Sequence, residues 1–465
     1  MQRVNPATGE ALEPISEDTD DVVDEALDNA QEAFDDWRDV PILERQQLLA
    51  NAAEVLRENK QEYAEMMTRE MGKPITAAIS EVEKCAWVCD YYAEHAGEHL
   101  QDEVIGSEPH ARSKVSYEPL GAVLAVMPWN FPFWQVFRFA APHLTSGNVG
   151  LLKHASNVPE CAQAIENVFR KAGYPEGVFQ TLLVGSDQVA DIIADERITA
   201  VTLTGSEAAG RSVAENAGKN LKKTVLELGG SDPFVVLDDA DVDTAAKVGA
   251  RARTINSGQS CIAAKRFIVH EAVYDEFMEK FKAELESLTI GDPMDEDTDI
   301  GPQAREGLME DLHEQVTESV EAGATVELGG EPMDRDGFYY PPTVLTDVPD
   351  GSPAAEEEVF GPVASVFKVG DEAEAIRVAN DTNLGLGASV WTSDLERGER
   401  VGHRIEAGCV FVNELVKSDP RIPFGGVKDS GYGRELSRDG ILEFVNRKTM
   451  WIQDADGDAE ISLSE

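Results

Sequence analysis

The sequence predicts an α/β protein built on doubly wound parallel sheets. Three observations predict it. Between about residue 113 and Leu228, short apolar runs alternate with segments of helical periodicity. A second series of the same texture runs from Pro233 to about Val412. Apolar residues make up 42 % of the 465-residue chain, close to an ordinary globular protein and too many for an acidic disordered one. Strands that alternate with helices need crossover connections, which are right-handed and give a parallel sheet. At roughly 150 residues per domain, the length suits about three domains or two larger ones.

The elements follow in order. From Asp20 to about Glu103 apolar residues recur three and four apart, as in Leu48, Leu49, Ala52, Ala53 and Leu56, which predicts helices. Gly72-Lys73-Pro74 breaks that run. Val115 to Pro119 and Gly121 to Val126 read as short strands, the second fully buried. Gly150 to Lys153 reads as a strand, Cys161 to Ala172 as a helix and Phe179 to Val184 as a strand. Val189 to Ala194 is a short helix, Ala200 to Thr204 a strand, then comes a helix through Ala217 and a strand from Thr224 to Leu228. The last fifteen residues are polar and acidic, an edge strand or a loose tail.

Charge narrows the function classes. Lys plus Arg is 40 and Asp plus Glu is 88, a formal net charge of −48. Such a surface repels nucleic acid and anionic membranes, both polyanions. The acids are spread over the whole chain, which points to a high-salt setting where counterions screen self-repulsion. No apolar stretch approaches 18 residues, and the start, Met1 to Pro6, lacks a hydrophobic signal segment. Five cysteines (Cys85, Cys89, Cys161, Cys261 and Cys409) do not read as a disulfide framework. A cytoplasmic protein with reduced thiols is expected.

Four segments offer chemistry, each with a plainer alternative. Neither a G-x-G-x-x-G fingerprint nor a Walker phosphate loop occurs. Thr204-Gly205-Ser206 to Gly210 follows a buried strand and opens a helix, so its N–H groups can hold a phosphate or merely cap and pack. Ser257-Gly258-Gln259-Ser260-Cys261 sets a thiol among small residues, as a nucleophile or a structural cysteine. Glu227-Leu228-Gly229-Gly230 ends an apolar strand with a carboxylate, as a raised-pKa base or a strand-end cap. Pro128-Trp129-Asn130-Phe131-Pro132 offers the Asn130 amide to polarise a carbonyl, or is simply a rigid turn.

Taken together, and joined by Lys153, by Glu358-Val359-Phe360-Gly361-Pro362 and by the run from Pro423 to Glu435, these segments resemble the aldehyde dehydrogenase superfamily in order and spacing. Lys153-His154-Ala155 and Leu228 to Pro233 resemble the short bacterial type of succinate-semialdehyde dehydrogenase within it. The resemblance implies two doubly wound parallel-sheet domains plus a small β oligomerisation extension. A cofactor-binding domain would take 1–100 and 120–229, a catalytic domain 230–445, and the extension 101–119 and 446–465. It implies NAD or NADP as cofactor and a homodimer or homotetramer. Cys261 would be the nucleophile, with its own N–H and Asn130 as oxyanion hole and Glu227 as base for water. Lys153 would hold the adenosine ribose, Gly205 and Ser206 would underlie the pyrophosphate, and Glu358 would bind the nicotinamide ribose beside Phe360. Trp129, Ser156 and Leu228 complete the expected cofactor groove.

Some positions depart from the family pattern. Gly185-Ser186-Asp187 lacks a second glycine and carries an anion, against a phosphate contact. Ser156 stands where NAD-preferring members commonly carry Glu, so a 2′-phosphate is not repelled. Ile255 stands where many succinate-semialdehyde enzymes place an Arg. Arg138 matches a carboxylate-binding Arg, and Ser418 and Arg421 are further substrate candidates; Arg421 also reads as a surface cation. The expected substrate is a small aldehyde with a distal carboxylate, succinate semialdehyde first, or else another small aldehyde. Three other readings compete. His95-Ala96-Gly97-Glu98-His99 fits an inverted zinc-peptidase motif, though Gly97 weakens the helix and no third ligand is evident. A non-enzymatic structural relative is disfavoured by the presence of Cys261, Glu227 and Asn130, and a CoA-acylating enzyme by Glu227.

Overall fold

A computed structural model of the protein describes residues 1–108 and 111–454. Four helices open it: α1 (Asp20–Trp37), α2 (Ile42–Glu58), α3 (Lys60–Met71) and α4 (Ile75–His99). In α4 the buried positions Ile75, Ala78, Val82, Cys85, Cys89, Tyr92 and Ala96 recur three and four apart, so one face packs on the core. The expected break is present. Gly72 ends α3 at φ +78°, where a Cβ would meet Pro302 Cγ at 2.7 Å.

Helices α5 (Trp134–Thr145), α6 (Pro159–Ala172), α7 (Val189–Ala194) and α8 (Glu207–Lys219) alternate with the strands of a six-stranded sheet. Its spatial order is Gly431–Tyr432, Lys223–Glu227, Ile198–Thr204, Ala122–Met127, Val149–His154, Phe179–Thr181. The last five are parallel; Gly431–Tyr432 joins antiparallel. Ala122–Met127 comes first in the chain yet sits inside the sheet, with later strands added on one side and then the other. Strand order reverses there, and a crevice opens beyond the carboxyl ends. The segments carrying Trp129 and Asn130, Lys153, Gly205 and Glu227 all leave the sheet at those ends.

A seven-stranded sheet runs Thr325–Leu328, Thr343–Thr346, Val363–Val369, Ala264–His270, Asp232–Val236, Gly387–Trp391, Cys409–Val412, parallel except for the first strand. Helix α9 (Val242–Thr254) covers it. Cys261, Gly230 and Glu358 precede strands of this sheet, so its amino ends face the crevice of the other. Glu103–Glu108, Ala111–Pro119 and Val445–Gln453 form a separate antiparallel sheet. Asn148 anchors its root: its side-chain oxygen accepts from the N–H groups of Leu120 and Gly121, and its amide donates to the Phe444 carbonyl.

One boundary differs from expectation. After Val412 the chain returns to the first sheet: Phe424, Leu436, Ile441, Leu442 and Phe444 are buried in its core, and Gly431–Tyr432 pairs with Lys223–Glu227. The segment from Phe424 to Phe444 therefore packs on the core of the first sheet, while its Val427–Lys428 also pairs antiparallel with Leu384–Gly385 of the second series. The expected Phe179 to Val184 strand is only Phe179–Thr181. The acidic end lies beyond Asp454, outside the described residues. Among the described residues no helix is long and apolar enough to cross a membrane.

Candidate active site

Cys261 hangs on a left-handed stretch of backbone. Asn256, Ser257 and Gly258 have φ of 53°, 56° and 77°. A non-glycine residue in this region costs roughly 1–2 kcal/mol, so neighbours must hold it there. They do. The Asn256 amide donates to the carbonyls of Asn130 (2.8 Å) and Gln259 (3.1 Å). Arg253 donates to Gly258 O at 2.7 Å, and Ser257 Oγ accepts from Gly301 N at 3.0 Å. A Cβ on Gly258 would lie 2.2 Å from the Gly361 carbonyl carbon, so no larger residue fits. Lys265, buried at the start of the next strand, donates to Ser260 O (2.9 Å) and Cys261 O (2.8 Å).

Asn130 reaches the same loop, its amide 3.1 Å from Gln259 O. That leaves its second N–H and the Cys261 backbone N–H, which has no partner among the described residues, as a pair of donors for an oxyanion. The turn carrying Asn130 is clamped from below. Glu81 accepts from the N–H groups of Phe133 (2.9 Å) and Trp134 (3.0 Å) and pairs with the buried Lys73 ammonium, which lies 3.9 Å from the Phe131 ring centre. Cys261 borders a cavity, yet the protein around its sulfur leaves little solvation. Burial pushes the thiol up to about 12 against the pull of Lys265 and Arg138, so Cys261 rests as a thiol at neutral pH.

Glu227 is the expected base for water. Its carboxylate is buried and neither oxygen has a hydrogen-bond partner among the described residues. Burial first, and then the nearby Glu435 carboxylate, raise its pKa well above the usual carboxylate range, while Arg138 and Arg434 pull the other way. Glu435 is itself paired with Arg138 Nε. Sequence reading missed Glu435, Lys265 and Asn256. The only local signal was a charged residue inside otherwise buried runs.

The expected cofactor groove is continuous with this site. Lys153 ends its strand nearly buried, with no partner among the described residues, and burial lowers its pKa. Ser156 beyond it is exposed. Ser206 caps α8, its hydroxyl accepting from Ala209 N, and Gly205 precedes it. Leu228 packs on Gly210, where a Cβ would lie 2.5 Å from Leu228 Cδ1. Glu358 accepts from Gly230 N at 3.1 Å and lies 3.3 Å from Lys265; a Cβ on Gly229 would come within 2.6 Å of its Oε2. Trp129 and Phe360 meet edge to face at 5.9 Å. An unpartnered ammonium, a free helix start and an aromatic pair fit a dinucleotide's ribose, pyrophosphate and nicotinamide.

A cavity of about 710 Å³ leads to Cys261, and Arg138, Ser418 and Lys84 line it. Arg138 reaches it with two of its five donors engaged: Nε pairs with Glu435 and one terminal nitrogen donates to Thr204 at 3.2 Å, which leaves the other terminal nitrogen without a partner among the described residues. Arg421 is a correction. Its guanidinium holds Asp419 in two hydrogen bonds of 2.9 and 2.6 Å, its side chain is 69 % exposed, and it does not line the cavity. The zinc reading is also overturned. His95 and His99 share a face of α4, their ring centres 6.1 Å apart, but His99 Nε2 meets the Tyr91 hydroxyl at 3.0 Å. Among the described residues no three ligands, Glu98 included, converge on a metal position.

The fold and this arrangement define a class, and comparison with known proteins agrees: residues 1–450 match the aldehyde dehydrogenase family, to which the chain belongs. A Synechocystis sp. protein named as a probable NADP(+) succinate-semialdehyde dehydrogenase is 55 % identical over 97 % of this chain and 99 % of its own. An NADP(+) succinate-semialdehyde dehydrogenase of Mycobacterium tuberculosis is 50 % identical over 97 % and 99 %. The solved succinic semialdehyde dehydrogenase of Streptococcus pyogenes, in complex with NADP+, superposes with a TM-score of 0.95 at 41 % identity, covering 97 % of this chain and all of that one. The zinc hydrolase alternative has no counterpart among these relatives.

Proposed function

We propose that the protein oxidises a small aldehyde bearing a distal carboxylate, succinate semialdehyde first, to the acid, with NADP as its cofactor. The observation that carries the substrate class is the cavity at Cys261. In a chain of net charge −48 its lining carries six Lys and Arg against three carboxylates, and Lys84, Lys247 and Arg251 have no carboxylate within ion-pair distance among the described residues. The names of the relatives support the same reading. For NADP, the partnerless Lys153 and the exposed Ser156 offer a cation and a hydroxyl where a 2′-phosphate would lie.

The residues divide the work. Cys261 Sγ attacks the aldehyde carbon as its proton is released to solvent through the cavity. The Asn130 amide and the Cys261 N–H hold the developing alkoxide. When bound, the dinucleotide supplies the hydride acceptor. Glu227 then takes a proton from water, whose oxygen adds to the thioester carbon; the carbon–sulfur bond breaks and the acid leaves. We further infer a homo-oligomer joined through the antiparallel extension, where Val104, Ile105 and Trp451 are 71 %, 67 % and 62 % exposed. The division at 229/230, with the return of Phe424 to Phe444 to the first half, and a cytoplasm of high salt complete the proposal.

Initial rates on succinate semialdehyde and butanal, with NAD and NADP in parallel at molar KCl, test it. The expected result is a higher kcat/KM for succinate semialdehyde and for NADP. A preference for butanal would remove the substrate reading while leaving the family chemistry intact.

A further inference from the structure

Lys84 projects from α4 into the cavity that leads to Cys261. Its Nζ donates to Ser418 Oγ at 2.8 Å and lies 4.2 Å from the centre of the Trp134 ring. Among the described residues no carboxylate lies within ion-pair distance of it. Arg138 on α5, Asp419 beyond Ser418, and Glu81 and Cys85 on α4 itself act on it most strongly, and Lys247 and Arg251 on α9, Lys417, Glu284 and Asp299 line the same cavity. Glu81 is engaged by Lys73, and Asp419 by Arg421. An ammonium seated on an aromatic face, steered by a hydroxyl and left without a counterion is a half-made anion site. Arg138 lies close enough to repel it, and both cations line the same cavity.

We propose that Lys84, oriented by Ser418 and assisted by the one uncommitted nitrogen of Arg138, binds the distal carboxylate of the substrate and sets the preference for acid-bearing aldehydes. The inference rests on the substrate class proposed above and names the group that recognises it. It also explains how the site manages with Ile255 where related enzymes carry an Arg. Arg138 is tied to Glu435 and to the electrostatics of Glu227, so its removal disturbs the acid–base machinery as well as the substrate. Lys84 touches neither carboxylate.

The same geometry carries a pH signature. Packing around the amine, and then Arg138, lower the pKa of Lys84 to about 8. Below that pH it is charged and grips the carboxylate; above it, it is neutral and does not. The readout is the ratio of kcat/KM on succinate semialdehyde to that on butanal, because ionisations of Cys261 and Glu227 affect both substrates and cancel. In the wild type this ratio falls as pH rises from 7 to 9.5. In Lys84→Met it drops about tenfold or more at pH 7, the scale of one charge-assisted hydrogen bond, and no longer varies with pH. In Lys84→Arg the preference persists to pH 9.5, because a guanidinium stays charged. Ser418→Ala lowers the ratio by a smaller factor. If the wild type shows no preference for the acid-bearing aldehyde, the substrate class itself fails. If the wild type shows it and Lys84→Met loses equally on both substrates, the role of Lys84 is overturned and the substrate class stands. Melting curves of both variants exclude a folding defect, and the arginine variant reports on charge even if the methionine variant is unstable.

Discussion

At the scale of single residues, the Glu435 carboxylate acts on the buried Glu227. Glu227 works as a base only when deprotonated, and burial together with the Glu435 charge raises its pKa. Thioester hydrolysis should therefore climb as pH rises through that raised value. Glu435→Gln removes the like charge and frees Arg138, which also favours the carboxylate form. The rising limb of kcat should then move to lower pH in a steady-state profile, and a limb that stays or moves up would show that Glu435 does not tune the base. Glu227→Gln should still give a stoichiometric burst of reduced cofactor on rapid mixing, followed by a stalled steady state, because water has lost its proton acceptor. A normal steady rate in that variant would place the base elsewhere.

At the scale of elements, α4 and the turn into α5 are joined by the Lys73–Glu81 pair, which ties the Asn130 turn to the helix bundle. Removing one partner strands a buried charge, which costs roughly 3–5 kcal/mol, whereas replacing both by apolar residues is often neutral. Lys73→Met alone should lower Tm sharply, and Lys73→Met with Glu81→Leu should recover part of it in thermal unfolding. A double variant no better than the single one would mean that the Glu81 bonds to Phe133 and Trp134 carry the effect. This is also where legibility in the sequence ends. The four segments at the carboxyl ends of the first sheet could be read because strand, turn and chemical residue are neighbours in the chain. Trp129, Asn130, Lys153, Gly205 and Glu227 are legible as candidates in that way, and Cys261, at an amino end of the second sheet, for the same local reason. Lys84 is 334 residues from Ser418, and Glu435 is about 300 from Arg138, so nothing local marks them. A lysine in an amphipathic helix reads as a solvated one, and Arg421, equally local, read as a ligand although its neighbour Asp419 had already claimed it. The return of Phe424 to Phe444 to the first core was hidden for the same reason: its apolar residues do not say which sheet they join.

At the scale of the whole molecule, the excess of 48 negative charges opposes the compact state. Between 0.1 and 2 M KCl, Tm should rise markedly as repulsion is screened, since the Debye length shrinks from about 10 Å to about 3 Å or less. A Tm flat across that range would remove the high-salt reading. The cation-lined cavity has a kinetic consequence as well. Under the substrate reading proposed above, an anionic aldehyde approaching from bulk crosses the field of the acidic surface before it meets Lys84, and at low ionic strength that field reaches farther. Dilute buffer should therefore slow the encounter of an anionic substrate with the cavity. A thick counterion cloud instead collapses the outer field to a few ångströms and leaves the enclosed cations nearly unscreened. Salt thus acts on this protein as a gatekeeper for capture, opening the way in without loosening the grip inside.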